Sequence, residues 1–168
     1  YTEDDQHVSA YRYNLKTKEN VKISSGFYFA DVLVNRDLGV VYIGDSANSG
    51  SKLYCYEIET LQLKSKFNKD NYGYTNHKRR IYLKDNAVYW GEFKLNATEI
   101  SRVEAQYTGT YPSGMLHVDD IFVVTTNGVY MRETTEQIAE GLFNSYNTAI
   151  VITDSANILM TDSNGLYI

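Results

Sequence analysis

Short apolar and aromatic runs alternate along this chain with segments rich in Asn, Asp, Ser and Gly. Four such runs occupy positions 39–45, 86–92, 120–125 and 157–162, and a second apolar run follows each of them after a few polar residues. Runs of about four to eight residues bounded by turn-forming residues are typical of β-strands. The pattern therefore predicts an all-β protein built from many short strands that are joined by turns.

The four runs share one register. Tyr42, Tyr89, Phe122 and Leu159 take equivalent positions in them, with spacings of 47, 33 and 37 residues. Self-similarity at a spacing of this size is typical of repeat architectures, in which each repeat is one supersecondary unit. We therefore predict that these four residues lie at equivalent positions in successive units.

Two further matches extend the repeat. Residues 11–17 share the pattern Tyr-x-Tyr-x-apolar-x-Thr with residues 54–60, which lie 43 positions later. An Asn-Gly dipeptide occurs at 127–128 and again at 164–165, each time between two apolar runs. Because Asn and Gly both accept the positive φ of a type I′ turn, a hairpin is expected at both places.

A unit of about 40 residues made only of strands indicates a blade of a β-propeller. We predict blades of four antiparallel strands, although residues 134–141 have a helix-like composition where an outermost strand is expected. The chain is expected to be a single propeller domain or part of one, most simply an excerpt of a larger ring of about six blades. A compact four-bladed ring closed between the two ends is the alternative. The blade repeats run roughly over 1–25, 26–70, 78–112, 113–143 and 144–168.

Composition narrows the classes of function. The 168 residues carry a formal net charge of −5, which argues against a nucleic-acid partner, and no apolar run approaches the length of a membrane span. The abundance of Tyr, with 16 residues, fits half-buried strand surfaces. Cys55 is the single cysteine and stands within a predicted strand, so we expect a buried, inert thiol.

Aromatic residues concentrate in the loops expected to join one blade to the next. Rings offer a large contact area with few rotamers to fix, and the hydroxyl of Tyr adds a polar tip. These loops are therefore predicted to bind a small planar ligand at one end of the propeller channel. His77, together with Arg79 or Arg80, is expected to contact an acidic group of that ligand. The predicted ligand-binding residues are Phe27, Tyr28, Tyr72, Tyr74, His77, Tyr111, Tyr146 and Asn147.

The sequence gives little support for catalysis or for a bound metal. We predict no catalytic residues, no metal site and no cofactor, because nucleophile motifs and metal-ligand spacings are missing from the sequence. The repeated segment at 45–48 and 154–157 is interpreted as a pair of turns. The alternative is a divalent metal on the channel axis of a lactonase, to which Asp31, Asp119 and Asn147 would contribute.

The strand pair at 86–91 and 99–103 resembles those of regucalcin-like and low-density-lipoprotein-receptor-type (YWTD-like) propellers. The segments 42–44, 128–131 and 165–168 are similar to the ommochrome-binding proteins of insect haemolymph. That resemblance implies a secreted, extracellular carrier of an aromatic, acidic pigment derived from tryptophan, and a binding protein rather than an enzyme. No ligand-contacting residue is carried over from the family. A regucalcin-like metal-dependent lactonase or esterase and a protein-interaction propeller are the alternatives.

Overall fold

The structure is a computed structural model, and it describes residues 8–27, 31–45, 50–70, 80–107, 114–140, 149–152, 158–162 and 165–167. Every regular element in these ranges is a β-strand. The strands form five antiparallel sheets, in which neighbours in the sheet are also neighbours in the chain. The prediction of an all-β protein with sheets of four antiparallel strands is confirmed.

The sheets follow one another in chain order, and we number them I to V. Sheet I contains β1 (Val8–Tyr13) and β2 (Asn20–Phe27). Sheet II contains β3 (Asp31–Asn35), β4 (Val40–Asp45), β5 (Gly50–Glu57) and β6 (Leu63–Asp70). Sheet III contains β7 (Tyr82–Lys84), β8 (Ala87–Trp90), β9 (Phe93–Asn96) and β10 (Val103–Gln106). Sheet IV contains β11 (Met115–Val118), β12 (Phe122–Thr125), β13 (Gly128–Met131) and β14 (Gln137–Glu140). Sheet V contains β15 (Ala149–Ile152), β16 (Ile158–Asp162) and β17 (Gly165–Tyr167).

The register of the repeat is confirmed at the level of the strand. Tyr42, Tyr89, Phe122 and Leu159 lie on β4, β8, β12 and β16, which are the second strands of their sheets. The described sheets do not close on one another. The structure therefore establishes a stack of antiparallel sheets, of which sheets II, III and IV have four strands each.

The segment 134–141 has a helix-like composition, but it contains the outermost strand that the repeat predicts at this position. Residues Gln137–Glu140 form β14, which pairs with β13 as the outermost strand of sheet IV. A helix this short is unstable alone, whereas pairing with β13 satisfies the backbone of the segment. All four side chains of β14 are exposed, as suits a strand at the edge of a sheet.

The hairpins differ from expectation in one detail. In sheet IV, Thr125 pairs with Gly128, so the turn consists of residues 126–127 and Gly128 already belongs to β13. Positive φ at both central residues occurs instead between β7 and β8, where Asp85 has a φ of 46° and Asn86 a φ of 60°. The hairpin at 127–128 is thus real, but its turn begins one residue earlier than predicted.

The second strands of sheets II and III are buried on both faces, which explains their continuous apolar character. On β4, Tyr42 packs towards sheet III and Ile43 towards sheet I. On β8, Trp90 packs towards sheet II and Tyr89 towards sheet IV. Among the described side chains, the core therefore consists of three clusters that alternate with the sheets from I to IV. Strand β11 continues the contact to β15 of sheet V.

Tyrosine hydroxyls connect neighbouring sheets through backbone carbonyls. Tyr42 donates to the carbonyl oxygen of Ala97 at 2.6 Å, and Tyr82 donates to that of Leu116. Tyr107 donates to the carbonyl oxygen of Arg132 at 2.7 Å. These three tyrosines therefore serve the packing of the sheets, since each ring fills the space between sheets and its hydroxyl still finds a partner.

Candidate ligand-binding end of the sheet stack

The strand ends to which the predicted loops connect lie at the same end of their sheets. In an antiparallel sheet of four consecutive strands, the first strand begins and the fourth ends at the same end, where the turn between the second and third also lies. The segments 28–30, 71–79, 108–113 and 141–148 each join the last strand of one sheet to the first of the next. We call this the loop end of the stack.

Seven of the eight predicted ligand-binding residues lie outside the described residues. These are Tyr28, Tyr72, Tyr74, His77, Tyr111, Tyr146 and Asn147. Their positions in the chain assign them to the four connecting segments, so the prediction that they contact a ligand stays a prediction.

Phe27 is the one predicted residue whose side chain is described. It is the last residue of β2 and is almost completely buried between sheets I and II. Its ring meets that of Tyr54 edge to face, with 5.5 Å between the ring centroids. Phe27 thus packs the base of the first loop, and its ring is not presented to solvent.

Asp31 holds two of the loops together at their bases. It follows the segment 28–30, and its Oδ2 accepts a hydrogen bond of 2.7 Å from the backbone N–H of Ile81, which follows the segment 71–79. Its Oδ1 accepts from the N–H of Val32 at 3.0 Å. One carboxylate therefore links the starts of two sheets that are 50 residues apart in the chain.

A cation is exposed beside this link. Arg80 stands immediately before Ile81, and its side chain is exposed. Burial raises the pKa of the Tyr82 hydroxyl, and the nearby positive charge of Arg80 partly opposes this rise. The loop end therefore carries a guanidinium within electrostatic reach of the Tyr82 ring.

Two buried carboxylates also lie at the loop end: Asp45, which begins the repeated turn segment 45–48, and Glu92, which the sequence did not single out. Asp45 ends β4, and Glu92 stands in the turn between β8 and β9. Glu92 accepts a hydrogen bond from the Gln106 side chain, and its carbonyl oxygen accepts from the N–H of Tyr107 at 2.8 Å. Glu92 thus fixes the base of the segment 108–113. The sequence signal that could have identified Glu92 is a carboxylate in a two-residue turn directly after a fully apolar strand.

The residues considered for a channel metal do not come together where the structure describes them. Asp31 begins β3 at the loop end, whereas Asp119 follows β11 at the opposite end of its sheet. Burial acts to raise the pKa of Asp119, but hydrogen bonds from the N–H groups of Phe122 and Ile121, together with the contact to the His117 side chain, outweigh it and leave the pKa lowered. Asp119 is therefore a turn residue. The described ranges contain no group of three His, Cys, Asp or Glu side chains able to hold a metal ion.

Cys55 is buried, as predicted, and forms no disulfide. Alternation along β5 directs Leu53 and Cys55 towards sheet III and Tyr56 towards sheet I. Burial raises the pKa of the Cys55 thiol, which disfavours the reactive thiolate.

Within the described ranges, no helix has the length and apolar character needed to cross a membrane. No protein-family model matches the chain, and no curated protein sequence is significantly similar to it.

Proposed function

We propose that the sheets are blades of a β-propeller and that the protein is a secreted carrier of a small planar aromatic ligand, bound at the loop end. The observation that carries this proposal is the common end from which the four connecting segments emerge. The strand ends that these segments connect are far apart in the chain but lie at the same end of their sheets, and each segment contains aromatic residues. A shared concave surface lined by rings is the usual form of a site for such ligands.

The chemistry of the loops favours a flat ligand that carries an acidic group. Tyr72, Tyr74 and Tyr111 supply faces for stacking, and the amide of Asn147 supplies a donor and an acceptor that orient the ligand. The exposed guanidinium of Arg80 supports a role for the adjoining basic residues in attracting a carboxylate. An attraction of this kind between exposed charges weakens as salt is added.

The strands at the bases of the loops form a rigid scaffold, which favours ligand binding without a large conformational change. β4 and β8 are buried along their whole length, and Asp31 and Glu92 fix the bases of three of the segments. A rigid base reduces the conformational entropy that is lost when a ligand is bound.

The test is a calorimetric titration with xanthurenic acid, a planar two-ring aromatic acid. Tyr74→Ala and Tyr111→Ala are each expected to weaken binding by about 0.5–1.5 kcal/mol beyond the lost burial, the range for a stacked aromatic pair. Tyr13→Ala is the matched control, because Tyr13 is 53% exposed and ends β1 at the opposite end of the stack. Its affinity should equal that of the unchanged protein.

If all three variants keep their folds and bind xanthurenic acid with equal affinity, the binding site does not lie at the loop end. Native material that copurifies with a coloured ligand would give the visible absorbance band expected of a pigment carrier. Binding that does not change with ionic strength would count against a contact between the basic residues and the ligand.

A further inference from the structure

Sheet I repeats only part of sheet II. Strand β2 (Asn20–Phe27) and strand β6 (Leu63–Asp70) have the same length and are offset by 43 residues. The sequence match between 11–17 and 54–60 has the same offset. Since β5 and β6 are the third and fourth strands of sheet II, β1 and β2 correspond to a third and a fourth strand.

The turn between the two strands repeats in its hydrogen bonds as well. The N–H of Lys18 donates to the carbonyl oxygen of Asn14 at 2.8 Å, and the N–H of Leu61 donates to that of Glu57 at 2.9 Å. Both donors have positive φ, 63° at Lys18 and 59° at Leu61. The backbone therefore assigns β1 to the third position independently of the side chains.

One edge of β1 has no strand beside it within the described residues. In sheet II the corresponding edge of β5 pairs with β4 along its length, from Val40 to Asp45. Sheet I consists of β1 and β2 alone, so the positions of a first and a second strand are not filled by any described residue. The backbone N–H and C=O groups of such an edge are suited to pairing with another strand.

An apolar groove of about 360 Å³ lies beside this edge, between sheets I and II. Its floor includes Val32 and Val34 on β3, which are 52% and 51% exposed. Arg12 closes one side, since its guanidinium donates to the carbonyl oxygens of Ile58 and Glu59 at 3.0 and 3.1 Å. The aliphatic lining includes Ala10, Ile23, Val32, Val34, Val41 and Ile43.

We propose that this groove binds a β-hairpin of the same type as β3–β4, which adds to the edge of β1 and covers Val32 and Val34. Between sheets II and III, the corresponding position is filled in this way. There, Val40 and Tyr42 of the inner strand pair pack against Val88 and Trp90 of the next sheet. A hairpin with alternating aliphatic side chains meets both needs of the groove, because its backbone pairs with β1 and its side chains cover the apolar floor.

Pairing with this edge of β1 distinguishes a bound hairpin from other molecules that could occupy the groove. A small apolar molecule would cover Val32 and Val34 but would leave the backbone of β1 paired only with β2. A second copy of the chain would cover the groove by self-association. Each of these alternatives is a separate outcome of the test.

The probe is a fluorescently labelled peptide of residues 31–45, which spans β3 and β4. We expect saturable binding to the 168-residue chain by anisotropy, and at least tenfold weaker binding for Val32→Asp and for Val34→Asp. Val103→Asp is the matched protein control, since Val103 is 47% exposed on β10, away from the groove, and the substitution should leave binding unchanged. A peptide with Val40 and Tyr42 replaced by Asn is the matched peptide control and should not bind.

Hydrogen exchange separates strand addition from adhesion to an apolar surface. Binding of the peptide should slow exchange of the backbone amides of β1 that face away from β2. The proposal is overturned if the peptide does not bind saturably, if Val32→Asp binds it equally well, or if β1 shows no slowing. It is also overturned if the groove takes up an apolar dye but not the peptide, or if the chain self-associates through it, as a dimer lost in Val32→Asp would show.

Discussion

Replacing Gly44 with Ala should strongly destabilise the protein, because Gly44 lies directly against the ring of Trp90. Gly44 stands on β4, and a Cβ built there would overlap the Cη2 and Cζ3 atoms of Trp90 and approach Cζ2 to 2.9 Å. Trp90 is completely buried in the cluster between sheets II and III. The added methyl group therefore has no space unless the indole or the backbone shifts.

The expected cost is about 2–3 kcal/mol, the upper part of the range of about 1–3 kcal/mol for overpacking a well-packed core. The indole cannot move freely, since Tyr42, Val88 and Phe93 belong to the same buried cluster. Urea unfolding measures the cost directly. Trp90 is the single tryptophan of the chain, so its fluorescence reports on the site under strain.

A double-mutant cycle with Trp90→Phe supplies the control. Phe is smaller than Trp, so Gly44→Ala should cost clearly less in the Trp90→Phe background, with unfolding followed there by circular dichroism. A cost below about 0.5 kcal/mol in the original protein, within the usual range for a surface substitution, would refute the reasoning. An equal cost in both backgrounds would refute it too.

Three further predictions concern buried and paired groups. Cys55 should react with a thiol reagent only after unfolding, because burial covers the sulfur and raises its pKa, and rapid labelling of the folded protein would contradict this. Tyr42→Phe should lower stability by about 1 kcal/mol through loss of the hydrogen bond to Ala97. Burial raises the pKa of the Tyr42 hydroxyl from 10.0 to about 12. The stability that this shift contributes is therefore complete below pH 10 and is lost as the pH rises to 12, and Tyr42→Phe should abolish this pH dependence. Asp85 accepts a hydrogen bond of 2.6 Å from Arg132, which lowers the pKa of Asp85 below its ordinary value of 3.8. Its contribution is therefore present above pH 3.8 and lost as the pH falls further, and Asp85→Asn should weaken this acid dependence in denaturant titrations.

The strands could be predicted because their signals are local. The all-apolar runs that became β4 and β8 are buried on both faces, and the turn residues between runs mark the hairpins. The burial of Cys55 followed from simple alternation along β5. These features depend on residues that are close together in the chain.

The links between sheets could not be predicted, because they join distant residues through single atoms. Nothing in the sequence pairs the Asp31 carboxylate with the N–H of Ile81, or the Tyr42 hydroxyl with the carbonyl oxygen of Ala97. The burial of Glu92 likewise depends on Gln106, which lies on another strand. For the segment ending in β14, the repeat predicted the strand although the local composition favours a helix, and its partner strand β13 decides its structure.

Hydrogen exchange with and without xanthurenic acid tests most directly whether the connecting segments form one binding surface. The account predicts slower exchange in at least three of the segments 28–30, 71–79, 108–113 and 141–148 at the same ligand concentration. Exchange at the turns of the opposite end, such as Asp85–Asn86, should not change. Slowing confined to one segment, or found only at the opposite end or along β1, would contradict the proposal that the loop end binds the ligand.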